Sequence, residues 1–131
     1  MAKVIHTMLR VLDLDRSLRF YRDVLGMEES YRLDFPDFAL AYLRNIENDF
    51  EIELTHNKGR QEPYTHGTGY GHIAVVVSGV SAERDRIVQL GYEAADVKEF
   101  TRDGELLARF FFVQDPDGYK IEVLERHGNY R

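Results

Sequence analysis

The 131-residue sequence predicts an α+β fold built from a duplicated unit, each copy reading strand, helix, then several strands. Three observations carry this. First, matching residues recur in the same order. His6 and His72 lie 66 apart, Leu25-Gly26 and Leu90-Gly91 lie 65 apart, and Ile52-Glu53-Leu54 and Ile121-Glu122-Val123 lie 69 apart, as do Tyr42-Leu43 and Phe111-Phe112. One small loop insertion accounts for the drift. Second, each copy holds one segment with helical apolar spacing, flanked by short strand-like runs. Third, Gly67, Gly69 and Gly71 punctuate the chain between the copies. The chain therefore reads as a single domain over 1–131, with a first module over 1–66 and a second over 67–131.

The elements follow in order. Ile5 to Leu12 is strand-like. Asp15 is a candidate N-cap for a helix whose Leu18, Tyr21, Val24 and Leu25 share a face, and Gly26 stops it. Phe38 to Arg44 and Phe50 to Thr55 are strands. In the second unit Ile73 to Val77 is a buried strand. Ser81 is a candidate cap for a helix carrying Ile87, Val88 and Leu90, and Gly91 ends it. Leu107 to Val113 and Tyr119 to Leu124 are strands joined by the turn Asp115-Pro116-Asp117-Gly118.

Composition excludes several classes of function. There are 17 Lys+Arg against 23 Asp+Glu, a net charge of −6, which disfavours nonspecific binding to nucleic acid or to an anionic membrane. The absence of cysteine removes disulfides, thiolate metal sites and cysteine nucleophiles, and fits a cytoplasmic setting. The apolar stretches are strand-sized, far short of the ~20 residues of a membrane helix, and no targeting segment is visible.

Strand alternation places the chemistry. His6 shares a face with Met8 and Arg10. Glu53 shares a face with Glu51, Thr55 and Asn57, with Ile52 and Leu54 behind it. Glu122 shares a face with Lys120 and Leu124, and His72 opens the second unit where His6 opens the first. A single histidine or glutamate in a strand is ordinarily a solvated or packed residue. Two of each, at matched positions of a duplicated unit, make a candidate four-ligand metal site. Imidazole with carboxylate suits nickel, cobalt, iron, manganese or zinc. Glu51 rivals Glu53 on the same face, while the repeat favours Glu53. His56, His66 and His127 have no repeat partner and read as surface or loop residues.

Several motifs then converge on one family. They are His6-Thr7-Met8-Leu9-Arg10-Val11, Asp13-Leu14, Ser17, Phe20-Tyr21 and Val24-Leu25-Gly26-Met27 in the first unit, continuing with Ile52-Glu53-Leu54-Thr55, Asn57 and Gly59. Gly67-Thr68, Tyr70-Gly71-His72-Ile73-Ala74 and Asp115-Pro116-Asp117-Gly118-Tyr119-Lys120-Ile121-Glu122 complete the set. From His6 to Glu125 the chain resembles glyoxalase I, the lactoylglutathione lyases, in their short bacterial form. The Asp-Pro-Asp-Gly turn is common across the wider vicinal oxygen chelate superfamily. The opening motif, with Ile-Glu-Leu-Thr and Tyr-Gly-His-Ile, is far more specific.

The resemblance implies two paired βαβββ modules forming a curved mixed β-sheet, in a homodimer whose sites each take one His/Glu pair from each subunit. It implies His6, Glu53, His72 and Glu122 as metal ligands, nickel as the metal (alternatively cobalt, manganese or zinc), and glutathione as co-substrate. The reaction isomerises the methylglyoxal–glutathione hemithioacetal to S-lactoylglutathione by moving a proton between adjacent carbons. Glu122 is the expected base, with Glu53 serving the other face of the substrate. Arg10 and Asn57 are expected to hold the glutamyl end of glutathione, and Lys98 or Arg102 its glycine carboxylate. The sequence departs from the family at Lys58, where relatives often carry tryptophan, and over Lys98 to Leu107, which is charged where a glycine-rich loop is expected. Two other readings keep the fold. Thiol transferases and extradiol dioxygenases of the superfamily lack the first-unit carboxylate, so Glu53 argues against them. Drug-sequestering dimers lack the ligands, so all four residues argue against them.

Overall fold

The structure, a computed structural model, describes residues 1–131. The chain divides into two compact units, Met1–Thr65 and His66–Arg131. The first contains β1 (His6–Arg10), α1 (Leu14–Leu25), β2 (Glu28–Asp34), β3 (Phe38–Asn45) and β4 (Asn48–Asn57). The second contains β5 (Ile73–Val77), α2 (Val80–Gln89), β6 (Lys98–Arg102), β7 (Glu105–Gln114) and β8 (Lys120–Glu125). Each unit builds one four-stranded sheet, ordered β1-β4-β3-β2 in the first and β5-β8-β7-β6 in the second. The first and last strands of each unit run parallel and the other pairings are antiparallel, so both sheets are mixed and share one topology. This is the duplicated α+β architecture the sequence predicts.

Alternation explains why the strands hold. In β4, Ile52 and Leu54 are fully buried behind Glu53. In β8, Ile121 and Val123 are fully buried on either side of Glu122. Each such side chain contributes roughly 1.5–3 kcal/mol on burial. The first core adds Val11, Tyr21, Val24 and Leu43, and the second adds Val80, Ile87, Phe111 and Val113. Helix α1 buries Leu14, Ser17, Phe20, Tyr21 and Val24, a stripe at helical spacing.

The helix ends differ from the sequence expectation in instructive ways. The N-cap of α1 is Asp13, not Asp15: its carboxylate accepts the Arg16 N–H at 3.1 Å, and Asp15 sits in the first turn. At the other end Gly26 adopts φ +65°, and the Met27 N–H reaches back to the Tyr21 carbonyl at 3.1 Å, a Schellman-type close. Ser81 does not cap α2. Gly79 is the N-cap, and the Val80 N–H is met by the Glu125 carboxylate of β8 at 3.1 Å. The Ser81 hydroxyl instead accepts from Arg109 at 3.3 Å. Of the expected apolar face of α2 only Ile87 is buried, while Val88 and Leu90 are exposed.

Two strands escape the sequence reading. β2 and β6 are edge strands, exposed at nearly every position, so neither carries an alternating pattern. β6 occupies the charged segment where a loop is expected, and its hairpin turns on Asp103 and Gly104, both at positive φ. Lys58 forms an ion pair with Asp34 and donates to the Phe35 carbonyl, tying the end of β4 to the β2–β3 connection.

Candidate metal centre

Parallel pairing of β1 with β4 brings the first two predicted ligands together. Met8 lies opposite Glu53 in register, and His6 reaches it diagonally. His6 Nε2 stands 3.2 Å from Glu53 Oε2. The same construction recurs in the second unit. Ala74 lies opposite Glu122, and His72, one residue before β5, places Nε2 3.6 Å from Glu122 Oε1. Two ligand atoms about 2.0–2.2 Å from one cation and at right angles to each other lie about 3 Å apart. The first pair is close to that separation and the second is wider, and imidazole nitrogen with carboxylate oxygen is a donor set for a borderline divalent ion. Each pair therefore fits one edge of a coordination shell. Nowhere in the chain do three or more His, Cys, Asp or Glu donors converge, so each unit offers two.

The glutamates are nearly enclosed, with side chains 11% exposed for Glu53 and 17% for Glu122. The histidines are more open, with side chains 35% exposed for His6 and 42% for His72. The rival Glu51 points elsewhere: its carboxylate accepts a hydrogen bond from the Ser30 hydroxyl on β2.

A cross-strand neighbour completes each pair. Tyr42 on β3 lies in register with Glu53 and donates its hydroxyl to Glu53 Oε1 at 3.0 Å. Its ring meets His6 edge-on at 5.7 Å between centroids and stacks on Tyr31 of β2 at 6.1 Å. Burial first, and then the bond to Glu53, push the Tyr42 hydroxyl above its ordinary value of 10.0, so it is a proton donor at neutral pH. In the second unit Phe112 lies in register with Glu122, and its ring meets His72 edge-on at 5.5 Å. Strand register thus equates Tyr42 with Phe112, whereas the sequence repeat pairs Tyr42 with Phe111. Counting from each glutamate across the hairpin is the signal that finds this pair. The register on the Phe112 side is set by the Asp115-Pro116-Asp117-Gly118 turn. Asp115 Oδ1 accepts the N–H groups of Asp117 and Tyr119, each at 2.9 Å, and Gly118 takes φ +86°.

The other predicted site residues fall along the same faces. Arg10 ends β1 opposite Thr55, and Asn57 ends β4, with its amide donating to the Tyr64 hydroxyl at 3.0 Å. Because β1 and β4 run parallel, both lie at one end of the row that starts at His6 and Glu53. Glu53 and Asn57 are four residues apart, about 13 Å along a strand. Lys98 pairs with Phe110, whose ring touches Phe112 at 5.8 Å between centroids, so Lys98 shares the Glu122 face two strands over. Arg102 pairs with Glu105, seven residues from Phe112 and about 23 Å along the strand. The remaining histidines lie elsewhere. His56 is half-buried on the opposite face of β4, with Nδ1 unpartnered, and is neither a loop nor an open surface residue. His66 stacks on Tyr119 at 4.1 Å, and His127 bridges to Tyr130.

The profile of the glyoxalase/bleomycin resistance protein/dioxygenase superfamily matches residues 3–123. The lactoylglutathione lyase of Haemophilus influenzae is 42% identical over 127 residues, covering 94% of this chain and 92% of that protein. Among solved structures, the trypanothione-dependent glyoxalase I of Leishmania major superposes with a TM-score of 0.76 at 34% identity, covering 95% of this chain and 87% of its own. Glyoxalase I of Zea mays gives 0.83 at 30% identity, over 96% of this chain and 45% of its own. No helix is long and apolar enough to cross a membrane. The chain belongs to the glyoxalase/bleomycin resistance protein/dioxygenase superfamily.

Proposed function

We propose that the chain is a lactoylglutathione lyase, a metal-dependent enzyme that isomerises the methylglyoxal–glutathione hemithioacetal to S-lactoylglutathione. The observation that carries the reading is the pair of matched His–Glu edges, His6 with Glu53 and His72 with Glu122, at 3.2 and 3.6 Å. The 42% identity to a lactoylglutathione lyase over most of both chains supports it.

His6, Glu53, His72 and Glu122 would hold the cation, with one His/Glu pair from each of two subunits of a homodimer. Nickel is the proposed ion, with cobalt, manganese or zinc as substitutes. A divalent ion, when bound, supplies stabilisation of the negative charge that develops on the two substrate oxygens. The chain's own residues do the rest. Glu122 takes the proton from the carbon bearing sulfur and delivers it to the adjacent carbon. One C–H bond breaks, one forms, and the hydroxyl proton passes from the oxygen of the first carbon to that of the second, so no atom is gained or lost. Arg10 and Asn57 bind the glutamyl end of the thiol. A tripeptide about 10 Å long when extended can run along the 13 Å row between them and Glu53. Lys98, on the Glu122 face, is the better placed of the two candidates for the glycine carboxylate. The proposed setting is the cytoplasm, with no nucleic-acid or membrane partner.

The test is turnover of the methylglyoxal–glutathione adduct, followed by thioester absorbance, with each metal returned to stripped protein. Activity restored by nickel is expected. Purified protein that binds no divalent ion would favour a non-enzymatic binding role and overturn the reading.

A further inference from the structure

The two His–Glu pairs are built on the same scaffold, and the aromatic ring beside each differs by one hydroxyl. In both units an aromatic ring from the third strand lies in register with the glutamate and meets the histidine edge-on, at 5.7 Å for Tyr42 and 5.5 Å for Phe112. Tyr42 carries a hydroxyl that donates to Glu53 at 3.0 Å. Phe112 carries none. The hydrogen bonds and ion pairs of the two carboxylates differ accordingly: Glu53 has the Tyr42 hydroxyl and His6, and Glu122 has only His72, at the longer distance of 3.6 Å.

We propose that Tyr42 is a positioning residue that fixes Glu53 in the ligand role, and that Phe112 at the matching register leaves Glu122 free to move as the base. The proposal rests on the reaction assigned above and deepens it. A hydroxyl donating to a carboxylate makes a charge-assisted bond that restrains the group's orientation and pre-sets the free oxygen toward the cation. The bond uses Oε1, and Oε2 is the oxygen that faces His6. The stack on Tyr31 holds the Tyr42 ring from behind, so the hydroxyl is aimed by the sheet and not by a flexible stem. A base must swing between its resting contact and the substrate carbon. A second hydroxyl at position 112 would hinder that swing. The arrangement therefore separates the two carboxylates by what lies beside them, on strands that are otherwise equivalent.

Two single substitutions move the hydroxyl. Tyr42→Phe removes it, and Phe112→Tyr supplies one to Glu122. For each, nickel affinity is measured on the free protein by competition with a chromophoric chelator, and kcat and KM are measured at saturating nickel. Tyr42→Phe should weaken nickel binding by about 10- to 100-fold, the usual cost of losing a partner that orients a ligand, while kcat at saturating nickel stays within about threefold. Phe112→Tyr should keep or tighten nickel binding, lower kcat at least tenfold, and leave KM within about threefold. Circular dichroism and the unfolding midpoint verify that both variants fold. Wild-type nickel affinity in folded Tyr42→Phe overturns the proposal, as does undiminished kcat in folded Phe112→Tyr. If the wild-type enzyme fails to turn over the adduct, the assigned reaction falls, and the nickel-affinity arm alone still decides whether Tyr42 holds Glu53.

Discussion

Replacing Glu122 by glutamine should separate metal binding from turnover. The amide keeps a carbonyl oxygen where the carboxylate now stands, 3.6 Å from His72 Nε2, so the coordinating edge survives in outline. The basic oxygen does not survive. The side chain is 17% exposed, and Phe112 beside it offers no hydroxyl. A positioned acid–base group contributes about 10²–10⁴ in rate. At 1.36 kcal/mol per factor of ten that is about 2.7–5.4 kcal/mol of transition-state stabilisation. The loss should fall on kcat, because the proton is held by Glu122 only during reaction, and KM should change little. The same exchange at Glu53 retains the Tyr42 hydroxyl as a partner for the amide oxygen and should cost less turnover at saturating metal. The assay is thioester formation from the hemithioacetal, alongside metal content by elemental analysis. A Glu122→Gln protein with normal metal content and turnover within about threefold of wild type would refute the reasoning, and proton abstraction would pass to Glu53.

Other outcomes follow from the same geometry. His6→Ala, Glu53→Ala, His72→Ala and Glu122→Ala should each weaken metal binding and nearly abolish turnover, whereas Glu51→Ala should keep both; the opposite result for residues 51 and 53 would show the first-unit register to be wrong. Each unit offers two donors, so the metal-loaded enzyme should sediment as a homodimer at low micromolar concentration, and an active monomer with full metal content would defeat this. Asp115→Ala strands the Asp117 and Tyr119 N–H groups in a buried turn and should lower stability by about 2–3 kcal/mol, read from denaturant midpoints. Lys58, through its hydrogen bond and then its charge, holds the Asp34 carboxyl below its ordinary 3.8. The ion pair is therefore intact above that value and lost as pH falls through the lower folded one, and an NMR titration should show Asp34 returning toward 3.8 in Lys58→Met.

How much of this is legible in the sequence depends on where each residue's partners lie. β4 and β8 can be read because Ile52, Leu54, Ile121 and Val123 alternate with polar positions and are buried. β2 and β6 cannot, since an edge strand exposed along its length has no periodicity to display. The end of α1 is local, set by Gly26. The start of α2 is not: its capping carboxylate, Glu125, lies 45 residues downstream of Val80. The candidate ligands stand out because duplication repeats them. Tyr42 and Phe112 are visible as repeated aromatics, but their relation to the glutamates exists only across a hairpin. A bulge between Leu43 and Asn45 and a different turn length in the second unit shift the true correspondence by one residue from the linear match.

A duplicated fold poses a physical problem for a reaction whose two sides are unlike. Copying a strand–helix–strand unit yields two equivalent ligand pairs, yet a stationary ligand and a mobile base are different jobs. Differences that leave the backbone topology intact supply the asymmetry. On the first unit's row, Arg10 and Asn57 stand at the far end of the parallel pair β1–β4. At the corresponding end of β5–β8 the Arg10 position is taken by Val76, opposite Leu124, the Asn57 position by Arg126, and Lys98 stands level with Leu124 across Phe110. The unit whose glutamate is tethered by Tyr42 thus carries Arg10 and Asn57, the proposed glutamyl anchors, and the unit of the untethered glutamate carries Lys98 and Arg126 instead. Reversing the Tyr42/Phe112 pair while leaving Arg10 and Asn57 in place would put tether and anchor on opposite units. The fold would not change, but the base would be restrained just where the substrate needs it free.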